Sequence, residues 1–236
     1  MSTPRGLLRR DMAALAASTG LAGIVLFAVS VFIVPTPPRF SKSAHDVTSY
    51  LTNHGGTVRA SQYVTGLAIM FFLWFAGALW GHMRRVEGDA GRLAQIFLAG
   101  AVALAAVFIV RGGLIVVASR APADDASIFF FRLAGELEPH TSFLIGPMVG
   151  ALGVLILRHG GLPRTLGWFC AIFAVYEIVE GACLYNADGW LSPGGVINRV
   201  GPLLFTIWAV WTSGALVQAI GSSSPRSDTT PSASVL

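Results

Sequence analysis

The chain has 236 residues, 54% of them hydrophobic and 12% charged, with a net charge of +4. Soluble domains carry about 25% charged residues, so roughly half the usual surface charge is missing and a soluble globular protein is excluded. The basic excess does not indicate a nucleic-acid partner either, because the arginines stand singly or in pairs between apolar runs, with no basic cluster interleaved with aromatics.

Six apolar runs of about 20 residues or more, the length a helix needs to cross a hydrocarbon core of about 30 Å, predict an all-α polytopic bundle with membrane lipid as its surroundings. Arg5, Arg9 and Arg10 precede the first, Ala13 to Val34. Basic residues ahead of an apolar run suggest a signal peptide. This run is too long for one, and Pro35-Thr36-Pro37-Pro38 follows it in place of a small-residue cleavage site. The expectation is therefore a cytoplasmic N-terminus over 1–12 and an uncleaved span over 13–34. In the long connection 35–60, Ser43 is placed to cap a short amphipathic helix over about 43–54, with Val47, Tyr50 and Leu51 on one face and Gly55-Gly56 as its end. Such a helix would lie on the membrane interface.

The second span is expected over 61–82, closed by Met83-Arg84-Arg85, and the third over 93–119, carrying Arg111. The fourth, 127–157, opens with SIFFFRLAGELEPHTSFLIGP, an unusually polar head in which Pro139 and Pro147 predict a kink. Gly146-Pro-Met-Val-Gly150 is a small-xxx-small pattern that favours close helix packing within the chain over dimerisation. The fifth span, 165–185, holds Glu177 and Glu180. Trp190 in the following turn-rich loop is placed as an interfacial anchor. The sixth covers 199–220, and residues 221–236 lack apolar periodicity and read as a disordered cytoplasmic tail. Cys170 and Cys183, 13 residues apart in one helix, are about 20 Å apart along its axis and cannot bridge each other.

Topology follows from charge. With the N-terminus inside, the inner segments hold Arg5, Arg9, Arg10, Arg84, Arg85, Arg92, Arg158, Arg164 and Arg226, and the outer ones Arg39, Lys42, Arg59, Arg120 and Arg199. Nine against five predicts N-in, C-in. That orientation puts Arg111, Glu177 and Glu180 in the outer half of the bilayer, together with the head of the fourth span. Arg132, Glu136 and His140 lie there at i, i+4, i+8 and share one helical face. Glu138 points about 160° from His140 on an ideal helix and is expected nearer the interface. An isolated charge at mid-bilayer costs about 3 kcal/mol, so Arg111 is expected to pair with Glu136, Glu177 or Glu180. Tyr63, Gln62 and Thr65 at the outer end of the second span complete a candidate outer-leaflet pocket.

At His54–Gly100, HGGTVRASQYVTGLAIMFFLWFAGALWGHMRRVEGDAGRLAQIFLAG, the chain resembles a group of actinobacterial six-span integral membrane proteins with a domain of unknown function. LPRTLGWF at 162–169 is similar to their loop into the fifth span, with Thr165 where they carry tryptophan. The resemblance implies six spans and an inner-membrane location, and no activity.

Three readings of the cluster stand side by side. In the first, Arg111, Arg132, Glu136, His140, Glu177, Glu180 and Tyr63 bind or pass a small hydrophobic or amphiphilic molecule, with carboxylates as proton or cation sites. In the second, a membrane-embedded acid–base enzyme uses Glu136, Glu177 or Glu180 to protonate a lipid or isoprenoid. The third is a structural or accessory subunit whose charges only hold helices together. Convergence of Glu136, His140, Glu177 and Glu180 on a metal would need more than the single histidine at that depth, so no metal is expected. His82 and His159 lie at the inner ends, away from any haem arrangement, and no cofactor is expected. Oligomeric state is open.

Overall fold

The computed structural model describes residues 4–38, 43–121, 124–185 and 196–222. The described residues are helical, without a strand: α1 (Pro4–Ile33), α2 (Ala44–Glu87), α3 (Arg92–Ala118), α4 (Asp125–Glu136), α5 (Ser142–His159), α6 (Arg164–Gly181) and α7 (Val196–Ser222). Short 3-10 turns at Pro139–Thr141 and Ala182–Tyr185 complete the set. Five stretches are long and apolar enough to cross a membrane, namely α2, α3, α4 with α5, Arg164–Leu184 and Val200–Gly221, and Ser18–Ile33 is a shorter apolar helix. This is a membrane-type helical bundle. The expected tail and the Trp190 loop lie outside the described residues.

Helix boundaries depart from expectation in three places. α1 begins at Pro4, nine residues ahead of the apolar run. Proline suits the first turn of a helix, where its missing N–H has no partner to lose. The interfacial helix and second span are one continuous helix of 44 residues, about 66 Å long. Ser43 does cap it, its hydroxyl accepting from Asp46 N at 3.2 Å, but Gly55-Gly56 does not end it. A glycine inside a helix costs only about 1 kcal/mol, and here tertiary contact offsets that. A Cβ on Gly55 would lie 3.1 Å from the Ser119 carbonyl oxygen, so its absence lets α2 meet the end of α3, and Arg59 Nη1 donates to the same carbonyl at 2.9 Å. The face of Val47 and Leu51, expected at the lipid interface, is buried against Ala118 and Phe131 instead.

The fourth span is also broken in two. α4, capped by Asp124 accepting from Ala126 N, stops at Glu136. Pro139 opens the 3-10 turn, and α5 starts at Ser142 and accommodates Pro147 without a break. Pro139 therefore separates two helices, and the expected kink at Pro147 is not a helix end.

Neighbouring helices close a ring: α1 on α2, α2 on α3, α3 on α5, α5 on α6, α6 on α7, and α7 back on α1. Hydrophobic transfer gives little drive between helices already in lipid, so close contact of small residues must hold such a ring. Gly146 and Gly150 face Ala174 and Glu177 of α6, so the small-residue pattern serves packing inside the chain. Gly153 is tighter, since a Cβ there would sit 3.0 Å from Cys170 Cβ and 3.1 Å from the Gly167 carbonyl oxygen. Left-handed Gly88 and Gly160 terminate α2 and α5. One end of the ring is filled by Phe75, Leu79, Met83, Phe97, Leu152, Phe173 and Trp208, all essentially inaccessible. Cys170 and Cys183 are both free and buried.

Candidate functional site

The other end of the ring is not filled. A cavity of about 500 Å³ lies between all six ring helices, reached also by Phe131 of α4 and by Glu138 and Thr141 of the turn. Thr36 and Pro37, exposed just after α1, form part of its rim. Its wall is mainly apolar. Polar groups come from Ser30, Ser61 and Thr65 at the α1–α2 seam, Gln62, Arg111, Glu138, Ser142, and Glu177 with Glu180 on α6. The seam groups are internally satisfied. Ser30 Oγ donates to the Phe27 carbonyl at 2.7 Å, Ser61 Oγ to the Ser30 carbonyl at 2.8 Å, and Thr65 Oγ1 to the Ser61 carbonyl at 3.0 Å.

Arg111 projects from α3 into this cavity. Its Nη2 donates to Glu138 Oε2 at 2.8 Å and its Nε to the Ala134 carbonyl at 3.1 Å. The expected partners were Glu136, Glu177 or Glu180, so Glu138 is a correction. Its cause is geometric: a helical wheel assumes 100° per residue, and the α-helix has already ended before Glu138. The Glu138 N–H donates to the Gly135 carbonyl at 3.1 Å, a tightened turn, and the Glu138 carbonyl accepts from Thr141 N and Oγ1. That turn swings Glu138 inward and leaves Glu136 and His140 outside. Pro139 was the signal for this break, and the wheel was drawn through it.

The remaining predicted residues divide cleanly. Glu177 and Glu180 line the cavity, 1% and 6% exposed, as their i, i+3 spacing requires. Arg132, Glu136 and His140 are exposed, with His140 Nδ1 2.9 Å from the Glu136 carbonyl oxygen at the end of α4. Glu136 and His140 stand outside the cavity that Arg111, Glu177 and Glu180 line, so they do not act with the α6 carboxyls as one acid–base or metal-binding set. Tyr63 is 70% exposed and faces away, whereas Gln62 and Thr65 on the same helix face in. Gln62 reaches across to α3, its Oε1 2.9 Å from where a Cβ on Gly112 would be.

The two α6 carboxyls have different surroundings. Glu177 sits against the small face of Gly146, with its side chain hydrogen-bonded to Ser142, while its Oε2 is buried without a hydrogen-bond partner. Glu180 hydrogen-bonds the Tyr176 hydroxyl. It lies on Gly201 of α7, where a Cβ would stand 2.6 Å from Glu180 Oε2. Gly201 is thus the position that admits the Glu180 carboxyl between α6 and α7. One turn on, Phe205 also lines the cavity, packed on Phe72 at 6.0 Å between centroids.

No protein-family model, curated protein or solved structure matches the chain. The site's chemistry rests on its own residues: an apolar chamber with a neutralised Arg111–Glu138 pair and a carboxyl pair on the opposite helix.

Proposed function

We propose that the protein binds, and passes through the membrane, a small or amphiphilic molecule held in the central cavity. In this reading α1, α2, α3, α4 with α5, α6 and α7 make six spans of the cell membrane. Both termini lie on the cytoplasmic side, and the cavity opens toward the outer leaflet. Carboxyl groups of Glu177 and Glu180 serve as proton or cation sites coupled to the cargo. The observation that carries the reading is the cavity itself, about 500 Å³ with mainly apolar walls and a few convergent polar groups, the pattern of small-molecule sites.

A purely structural role for the charges would predict polar side chains that satisfy one another in a packed core. Glu177 instead leaves one oxygen without a hydrogen bond at the cavity wall. The test is to purify the protein in a mild detergent and identify small molecules that stay bound, by native mass spectrometry and solvent extraction. Ala105 and Ala209 line the cavity, and A105F or A209F fills it. The expected result is a bound species on the wild-type chain that both variants lose at unchanged fold. Equal occupancy in all three proteins overturns the reading.

A further inference from the structure

We infer that the occupant of this cavity is a short single-chain alcohol, seated tail-first with its hydroxyl at Glu177. The inference rests on the cavity-binding reading above and adds the shape and head group of the ligand. The cavity changes polarity at one level around the ring. Its lining passes from apolar to polar within three residues on α1, Phe27 to Ser30, and on α3, Phe108 to Arg111. On α2 and α5, which run the other way, it passes from polar to apolar between Thr65 and Ala68 and between Ser142 and Ile145. Contacts between helices put these steps in register. Phe27 meets Phe108 at 6.2 Å between ring centroids, and Ser61 Oγ donates to the Ser30 carbonyl at 2.8 Å.

Below that level every described lining residue is apolar, down to a floor at Phe75 and Ala209. Phe27 to Gly20 on α1 and Ala68 to Phe75 on α2 each advance seven residues, so this sleeve is about 10 Å deep, the reach of an extended chain of about eight carbons. With a total volume of about 500 Å³, it suits one such chain rather than the paired chains of a phospholipid. Glu177 marks the place of the head. It packs on Gly146, next to Ile145, and hydrogen-bonds Ser142, so it stands at the polarity step. It is 1% exposed, lines the cavity, and holds an Oε2 with no hydrogen-bond partner, a costly state for a buried polar atom. A hydroxyl supplies that bond in either protonation state, donating to a carboxylate and accepting from a carboxylic acid. Surrounding lipid is as apolar as the sleeve, so the tail alone gives no preference for the cavity and the hydrogen bond decides occupancy.

The experiment photolabels full-length protein in phosphatidylcholine nanodiscs with octanol carrying a diazirine at its tail end, and maps the labelled residues by mass spectrometry. Label is expected on Phe75 and Ala209. Unlabelled octanol should compete for those positions about tenfold better than octane or octadecanol at equal mole fraction in the bilayer, the weight of one hydrogen bond. Label on lipid-facing positions should resist competition. E177L should lower floor labelling about tenfold, E177Q should retain it because an amide also pairs with a hydroxyl, and A105F should block it. Equal competition by octane overturns the hydroxyl assignment, and equal competition by octadecanol overturns the short chain; both leave the cavity reading standing. Absence of competable floor label overturns this inference alone if a bound species is still extracted from the wild-type chain and lost in A105F, and overturns both readings if none is. If E177L does not fold, the competition series on the wild-type chain decides alone.

Discussion

Replacing Glu138 with glutamine is the sharpest test of how the polar end of the bundle is wired. The change keeps the side chain's shape and removes its charge, so Arg111 loses its ionic partner at 2.8 Å and keeps the Ala134 carbonyl at 3.1 Å. Two unit charges about 4 Å apart interact by about 4 kcal/mol at an effective dielectric near 20. The side chains retain 23% and 34% exposure, so screening and desolvation return part of that. Exposed pairs contribute about 0–1 kcal/mol, and breaking a buried one costs about 3–5 kcal/mol. Intermediate burial puts the loss near 2 kcal/mol, or about 4–8 °C in Tm for a chain of this length. The control is E136Q, at an exposed position two residues away, expected to stay within about 0.5 kcal/mol. Thermal unfolding in one detergent, followed by tryptophan fluorescence, measures both. A cycle with R111Q then isolates the coupling, since removing Arg111 should make E138Q nearly silent. If E136Q lowers Tm and E138Q does not, the helical-face pairing is the true one and the turn at Pro139 has been misread.

Three further outcomes follow from specific contacts. G153A should destabilise by about 1–3 kcal/mol, because its Cβ meets Cys170 Cβ and the Gly167 backbone at 3.0 and 3.1 Å. G150A, whose Cβ finds Ala174 Cβ at an ordinary 3.4 Å, should be near neutral, and equal thermal shifts would refute the α5–α6 packing. Spin labels at exposed Asn53 and Arg85 should report Cα atoms about 48 Å apart by pulsed dipolar spectroscopy, since α2 runs unbroken across 32 residues; a markedly shorter distance would restore a break at Gly55-Gly56. Glu87, beyond the apolar stretch of α2, accepts from Leu93 N and Ala94 N at 2.9 and 3.0 Å. Its slight burial opposes ionisation, but these backbone donors prevail and hold its carboxyl below the ordinary 4.5. A lowered folded value means this cap stabilises fully above pH 4.5 and is lost as pH falls below it, so the wild-type advantage over E87A should vanish in acid. A gap that persists at low pH would remove the cap from the account.

The positions of the apolar helices were legible because bilayer thickness sets their length, and that length is written directly as apolar runs. Glu177 and Glu180 were legible for a related reason: both sit inside one regular helix, where spacing alone determines a shared face. What could not be read were features set by contacts between segments. Gly55-Gly56 carries a stop signal locally, yet the approach of Ser119 keeps α2 going. Tyr63 and Gln62 are equally polar neighbours, and only the position of α3 decides that Gln62 turns in. Glu138 was lost because helical phase was carried across Pro139, where the chain no longer turns by 100° per residue.

The turn at Pro139 bears on mechanism. The i, i+4, i+8 set of Arg132, Glu136 and His140 would have made a mixed-charge wall, able to balance either carboxyl of α6 and to leave a neutral chamber. With Glu138 inside and Glu136 and His140 outside, Arg111 is paired by Glu138, and Glu177 keeps an Oε2 without a hydrogen-bond partner. A bundle that needed charge only for assembly could place one compensating arginine opposite Glu177. Among the described lining residues the rest of the wall is mainly apolar and aromatic, around an open volume. Any molecule that entered that volume would meet the Glu177 carboxyl, and not Glu136 or His140.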